Sequence, residues 1–158
     1  MTRVVGIDPG ANGCIALIDT DTNEIKVYDF PKLEKEIDVM ELFGSIVNGL
    51  GVVDLCVIES VHALPRQSTV AGFKFGVAVG IARAISGVLC CRTEYVSPQR
   101  WKKYFNINGA EKAQLKEMAV LKARSLFPRL TDVLLKSKDG RSEALLIAEY
   151  GVRNLIIK

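Results

Sequence analysis

Val4-Val5-Gly6-Ile7-Asp8-Pro9-Gly10-Ala11-Asn12-Gly13-Cys14-Ile15-Ala16-Leu17-Ile18 reads as an apolar run, a turn and a second apolar run. Pro9-Gly10 and Gly13 supply the turn chemistry between two β-favouring segments. A second turn, Asp19-Thr20-Asp21-Thr22-Asn23, leads into Glu24-Ile25-Lys26-Val27-Tyr28. Two successive hairpins therefore predict three antiparallel strands at the start of the chain. The first of these strands ends on a carboxylate, Asp8, beside a turn with little side-chain bulk. On its own, Asp8 is equally explained as the opening residue of an Asx-type turn.

Beyond this meander the pattern changes to alternating helices and strands. Leu33 to Val47 has apolar residues at roughly helical spacing, and Asn48-Gly49 ends it. Val52 to Ile58 is a nearly continuous apolar run closing on Glu59, the pattern of a buried parallel strand. Such strands present their last residue at the edge where open α/β folds place ligands. Thr69 to Val88 reads as a helix with Gly72, Gly76 and Gly80 four apart, a small-residue face suited to close packing on the sheet or on a partner helix. Leu89 to Val96 is another strand, Ser97-Pro98 opens a short helix ending near Phe105, and Ala110 to Phe127 is a longer one. Leu130 to Lys138 is a basic connector, and Ser142 to about Leu155 forms the last helix. Residues 1–158 are thus expected to form a single α/β domain, three antiparallel strands followed by α/β crossovers, with strand order unresolved.

Composition narrows the class. The chain has 158 residues, 49% hydrophobic and 25% charged, the balance of one soluble globular domain. No uninterrupted apolar run approaches the roughly 18 to 20 residues that span a bilayer, and the N-terminus lacks a signal-peptide pattern. The expectation is a cytoplasmic protein with no targeting segment and no membrane partner. Cys14, Cys56, Cys90 and Cys91 lack zinc-site spacing and read as reduced thiols, three or four of them in apolar strand-like runs. The net charge of +3 hides a division. Residues 1–91 hold 7 Lys/Arg against 11 Asp/Glu, whereas residues 92–141 hold 12 against 5. A basic segment beside acidic motifs suits an enzyme that binds a polyanion and uses carboxylates for metal, although a solvated basic helix explains the charge as well.

The acids are the candidates for chemistry. Asp8 and Glu59 end two apolar strands, and Asp139-Gly140-Arg141-Ser142-Glu143 opens an apolar helix. Asp139 and Glu143 share a helical face if that helix begins early enough; otherwise Asp139 or Ser142 is an ordinary cap and Glu143 a dipole-favoured acid. Brought together, these hard oxygen donors suit Mg²⁺ or Mn²⁺. Two such ions about 3.5 to 4 Å apart serve in-line phosphodiester hydrolysis.

Val5-Gly6-Ile7-Asp8-Pro9-Gly10, Val57-Ile58-Glu59, Glu111-Lys112-Ala113-Gln114 and the segment from Asp139 through Ala148 together resemble the RuvC-like Holliday junction resolvases, especially their shorter phage, bacterial and plastid branch. The resemblance runs almost end to end and rests on the order and spacing of individually weak motifs. It implies a ribonuclease H-like α/β fold, with a mixed five-stranded sheet of three antiparallel then parallel strands flanked by helices. It also implies a homodimer that nicks four-way DNA junctions symmetrically, working in a bacterial or phage-infected cell with Mg²⁺ or Mn²⁺, two ions per site, and no small-molecule cofactor. Asp8, Glu59, Asp139 and Glu143 are then the acidic tetrad. The last pair stands four apart, where many family members have two aspartates three apart.

The same resemblance nominates Lys112, and Lys102 or Lys103 beside Trp101, to hold phosphate. It places His62 where a side chain enters the junction centre, and Arg66 and Lys74 are candidates for backbone phosphates. His62, the one histidine, reads equally as a surface residue. Three other readings compete: a nuclease of the same fold acting on flaps, forks or RNA, a non-catalytic junction-binding module, and an actin-like ATPase or sugar kinase. The last needs two domains, for which 158 residues leave no room.

Overall fold

The computed structural model describes residues 2–10, 12–62, 68–89, 91–109 and 111–156. Strands β1 (Arg3–Asp8), β2 (Cys14–Asp19) and β3 (Ile25–Asp29) form the expected antiparallel meander. A two-stranded ribbon, β4 (Lys32–Leu33) and β5 (Glu36–Ile37), follows it. The crossover helix therefore starts later than the periodicity predicts. It runs through α1 (Val39–Glu41), a π-helical segment (Leu42–Val47) and α2 (Asn48–Leu50), with the Asp38 side chain accepting from the Glu41 N–H. Glu34, at φ 56°, makes the turn that the apolar spacing of this segment conceals.

Strand β6 (Leu55–Glu59) lies parallel to β1, α3 (Thr69–Leu89) crosses back, and β7 (Arg92–Val96) lies parallel to β6. The five-stranded sheet has the order β3-β2-β1-β6-β7. Leu89 completes α3 instead of starting β7, so that strand is shorter than expected. Helices α4 (Pro98–Tyr104), α5 (Lys112–Leu126) and α6 (Asp139–Asn154) complete the chain, with 3-10 turns at Pro128–Leu130 and Lys136–Lys138. The last helix begins at Asp139, three residues before Ser142.

Strand alternation divides the core between the two faces of the sheet. Val4, Ala16, Leu55 and Val57 point to the face covered by α4, α5 and α6, while Val5, Ile7, Leu17, Cys56 and Ile58 point to the face covered by α1, α2 and α3. The contact between β1 and α6 is unusually close. A Cβ built on Gly6 would stand 2.9 Å from Ala148 Cα and nearer still to Ala144 O and Ala148 N. Only glycine lets the helix rest directly on the central strand there.

By length and composition α3 is long and apolar enough to cross a membrane. Lys74 and Arg83 interrupt its apolar stretches. It packs through Ala78, Ala82, Ile85 and Ser86, and the glycine face does not join that contact: Gly72, Gly76 and Gly80 have open space where a side chain would project. Cys14, Cys56 and Cys91 are free thiols; the first two are buried in strands and Cys91 precedes β7. Cys90 lies outside the described residues.

Candidate active site

Register places the acids. Ile7 pairs with Ile58 in the parallel β1–β6 ladder, so the next residues, Asp8 and Glu59, emerge side by side at the C-terminal edge. Both follow residues that face α6, namely Gly6 and Val57, by two positions, so both point to the α6 side. Because α6 starts at Asp139, Asp139 and Glu143 stand one helical turn apart on one face. Gly140 lets that first turn approach the strand ends: a Cβ there would meet Asn12 O at 3.1 Å and Asp8 Oδ2 at 3.3 Å. Asp8, Glu59, Asp139 and Glu143 consequently line one cavity of about 460 Å³, together with Lys102, Lys112 and Lys116.

Asp8 and Glu59 are only 9% and 7% exposed, so each carboxylate needs compensation. Asp8 Oδ1 accepts from the Gly10 N–H at 3.1 Å. Glu59 Oε1 accepts from the indole N–H of fully buried Trp101 at 2.8 Å. These bonds do not cancel the cost of burial. Burial, followed by the charges of Glu143 and Glu59, raises the Asp8 pKa well above the usual carboxylate range, and Asp139 adds to the effect. Burial also raises Glu59, with Trp101 pulling it down, Glu143 pushing it up and Lys102 pulling it down. Lys102 Nζ stands 3.1 Å from Glu143 Oε1, and Lys116 pairs with Asp139.

This donor set fits a hard divalent cation. All three other acids raise the proton affinity of Asp8, so the cavity carries crowded negative charge that a cation relieves. Among the described residues no three acids are gathered tightly enough to form a ready metal shell. Two of the four are engaged instead by the lysine ammonium groups.

The other predicted residues separate. Lys102 and Lys112 line the cavity, whereas Lys103 is exposed on α4 and Lys74 is exposed on α3, neither of them among the cavity residues. His62 is exposed, three residues beyond Glu59, and Arg66 lies outside the described residues. Lys116 also lines the cavity; no motif marks it, although its i,i+4 spacing from Lys112 puts both on one face of α5. The Trp101 bond to Glu59 had no such signal, since a tryptophan in a core is ordinary.

A mixed sheet in the order 3-2-1-6-7, with the last helix laid across its central strands, is a ribonuclease H-like fold. A structure described as Thermus thermophilus RuvC in complex with a Holliday junction substrate has this fold, with TM-score 0.59, 18% identity and 96% of each chain covered. A second, described as the Thermus thermophilus RuvC structure, aligns with TM-score 0.56, 17% identity and the same coverage. The chain thus has the RuvC fold over nearly its whole length. Comparison with protein-family models finds no match, and comparison with curated protein sequences finds none either.

Proposed function

We propose that this protein is a metal-dependent endonuclease that resolves four-way DNA junctions. The observation that carries the reading is the convergence of Asp8, Glu59, Asp139 and Glu143 in one cavity rimmed by Lys102, Lys112 and Lys116. Those four carboxylates would hold Mg²⁺ or Mn²⁺, two ions per site, which when bound supply acidified water and charge neutralisation at the phosphate. The protein's own contribution is placement. Trp101 fixes the rotamer of Glu59, the Gly10 N–H fixes Asp8, and the lysines draw a phosphate backbone toward the acids. His62, Lys74 and Lys103, all exposed, extend the contact along the DNA in this reading.

A symmetric junction needs two active centres, and the proposed assembly is a homodimer. Val70, Phe73 and Val77 are exposed on α3, and the open glycine positions on the same helix admit close approach of a second copy.

The test is a labelled mobile four-way junction incubated with Mg²⁺ and either wild type or Asp8→Asn. Paired symmetric nicks bearing 5′ phosphates are expected from wild type, and binding without cutting from the variant. Cutting by Asp8→Asn at the native rate would overturn the site. Flaps, forks and RNA hybrids in the same panel distinguish the sister activities, and metal-independent binding with no product in any arm would mark a non-catalytic module.

A further inference from the structure

The first turn of α6 carries Asp139, with Glu143 one turn further on, yet the cations flanking Asp139 are poorly suited to starting a helix. Lys138 occupies the N-cap position with no side-chain cap bond, and Arg141 lies in the first turn. Cations at a helix N-terminus oppose the macrodipole, and a lysine cap leaves the first N–H groups unsatisfied. The compensation comes from the far edge of the meander. Asp29, the last residue of β3, accepts from Arg141 Nε at 2.6 Å and Arg141 Nη2 at 2.7 Å, and from Lys138 Nζ at 3.0 Å. Arg141 Nη1 also donates to Val133 O at 3.1 Å, so one guanidinium ties the strand end, the preceding connector and the helix together.

Sheet register gives this clamp its meaning. Asp29 is paired with Cys14 across β3–β2, and Cys14 is paired with Asp8 across β2–β1. The Cys14 thiol donates to Asp29 Oδ1 at 3.5 Å. Asp29, Cys14 and Asp8 therefore form one row across the sheet, and the first turn of α6 is laid along it, with Gly140 against Cys14 Sγ and Asp8 Oδ2. The residues on either side of Asp139 and Gly140 are held by Asp29, while Asp139 itself faces the cavity. The Arg141 guanidinium beside Asp29 holds its carboxyl well below the usual carboxylate range, so the clamp stays charged at neutral pH.

We infer that Asp29 is a positioning residue: through Arg141 and Lys138 it sets the start and orientation of α6, and thereby the distance of Asp139 and Glu143 from Asp8 and Glu59. This rests on the proposed metal-dependent function of those acids. Asp29 touches no reacting group and acts through the helix.

The test uses the full chain with Asp29→Asn, Asp29→Glu and Arg141→Lys, and three measurements. These are Mn²⁺ binding by calorimetry, amide exchange at Ser142, Glu143 and Ala144, and thermal unfolding. Those amides are the first able to bond back along the helix, so they report its first turn. Asp29→Asn is expected to weaken Mn²⁺ binding roughly 10-fold or more, with faster exchange at the three amides and unchanged protection from Leu145 to Tyr150. Arg141→Lys keeps the charge but loses the paired bonds and should fall in between, and Asp29→Glu should recover part of the loss. Wild-type Mn²⁺ affinity and wild-type exchange in Asp29→Asn would overturn the inference. So would a uniform loss of protection along all of α6, which marks a merely structural role. If wild type binds no Mn²⁺, the functional reading fails, and the first-turn exchange still decides whether the clamp holds the helix.

Discussion

Gly6→Ala is the smallest change that tests whether the site depends on the contact between β1 and α6. The added methyl would lie 2.9 Å from Ala148 Cα and closer to Ala144 O and Ala148 N. Carbon atoms rest at about 3.5 Å or more, so relief requires the helix to move by at least about half an ångström and by about 1 Å for the nearer atoms. The neighbours are backbone and cannot rotate aside. Overpacking of this kind costs about 1 to 3 kcal/mol. For a chain of this size that lowers the melting temperature by about 2 to 12 °C. The functional effect should exceed the stability effect, because Asp8 rides on β1 and Asp139 and Glu143 ride on α6. A misplacement near 1 Å between groups that must act together costs about 100-fold in rate. The assay is junction cleavage with Mg²⁺ well below the melting temperature, beside circular dichroism to verify the fold. Native cleavage with an unchanged melting temperature would refute the claim that this contact sets the site.

Other consequences are open to measurement. Asp8 and Glu59 hold protons more tightly in the folded chain than in the unfolded one, so metal-free stability is full below the ordinary carboxylate values of about 3.9 and 4.3 and falls as pH rises toward the raised folded values. Asp8→Asn should therefore be more stable than wild type at neutral pH without metal, and urea titrations at acid and neutral pH would reveal the opposite if burial is not the cause. Trp101→Phe keeps an aromatic ring in the core but removes the donor to Glu59, and should cost about 1.5 to 3 kcal/mol, read from the urea midpoint. Lys112→Ala should reduce the slope of log affinity for junction DNA against log salt by about 1, with little change in structure selectivity. Phe73, 74% exposed on α3, should be needed for self-association, so Phe73→Glu is expected to yield monomers by sedimentation.

Much of this was legible in order along the chain. The meander, the parallel strand ending in Glu59 and the helix carrying Lys112 are each encoded by local periodicity and turn chemistry, which act over a few residues. Boundaries failed where a local pattern was ambiguous. Leu33 to Val47 has helical spacing, but the Glu34 turn diverts its first residues into a ribbon. Helix α6 begins three residues before the expected Ser142, because Lys138 and Arg141 oppose the helix dipole and Gly140 is a weak helix former, so the local pattern hides the first turn. Asp29, 112 residues away from Arg141, offsets those cations.

Which residues end the strands, and which acids are available, follows from local sequence, since strand alternation and apolar runs are short-range properties. Tertiary structure decided their company. The 3-2-1-6-7 order sets Asp8 beside Glu59, the absence of side chains at Gly6 and Gly140 draws α6 onto them, and Trp101, Lys102 and Lys116 arrive from two other helices to meet the buried charge. Desolvation and Coulomb forces depend on distance in space and not along the chain, and the site's chemistry appears only once the fold has set those distances.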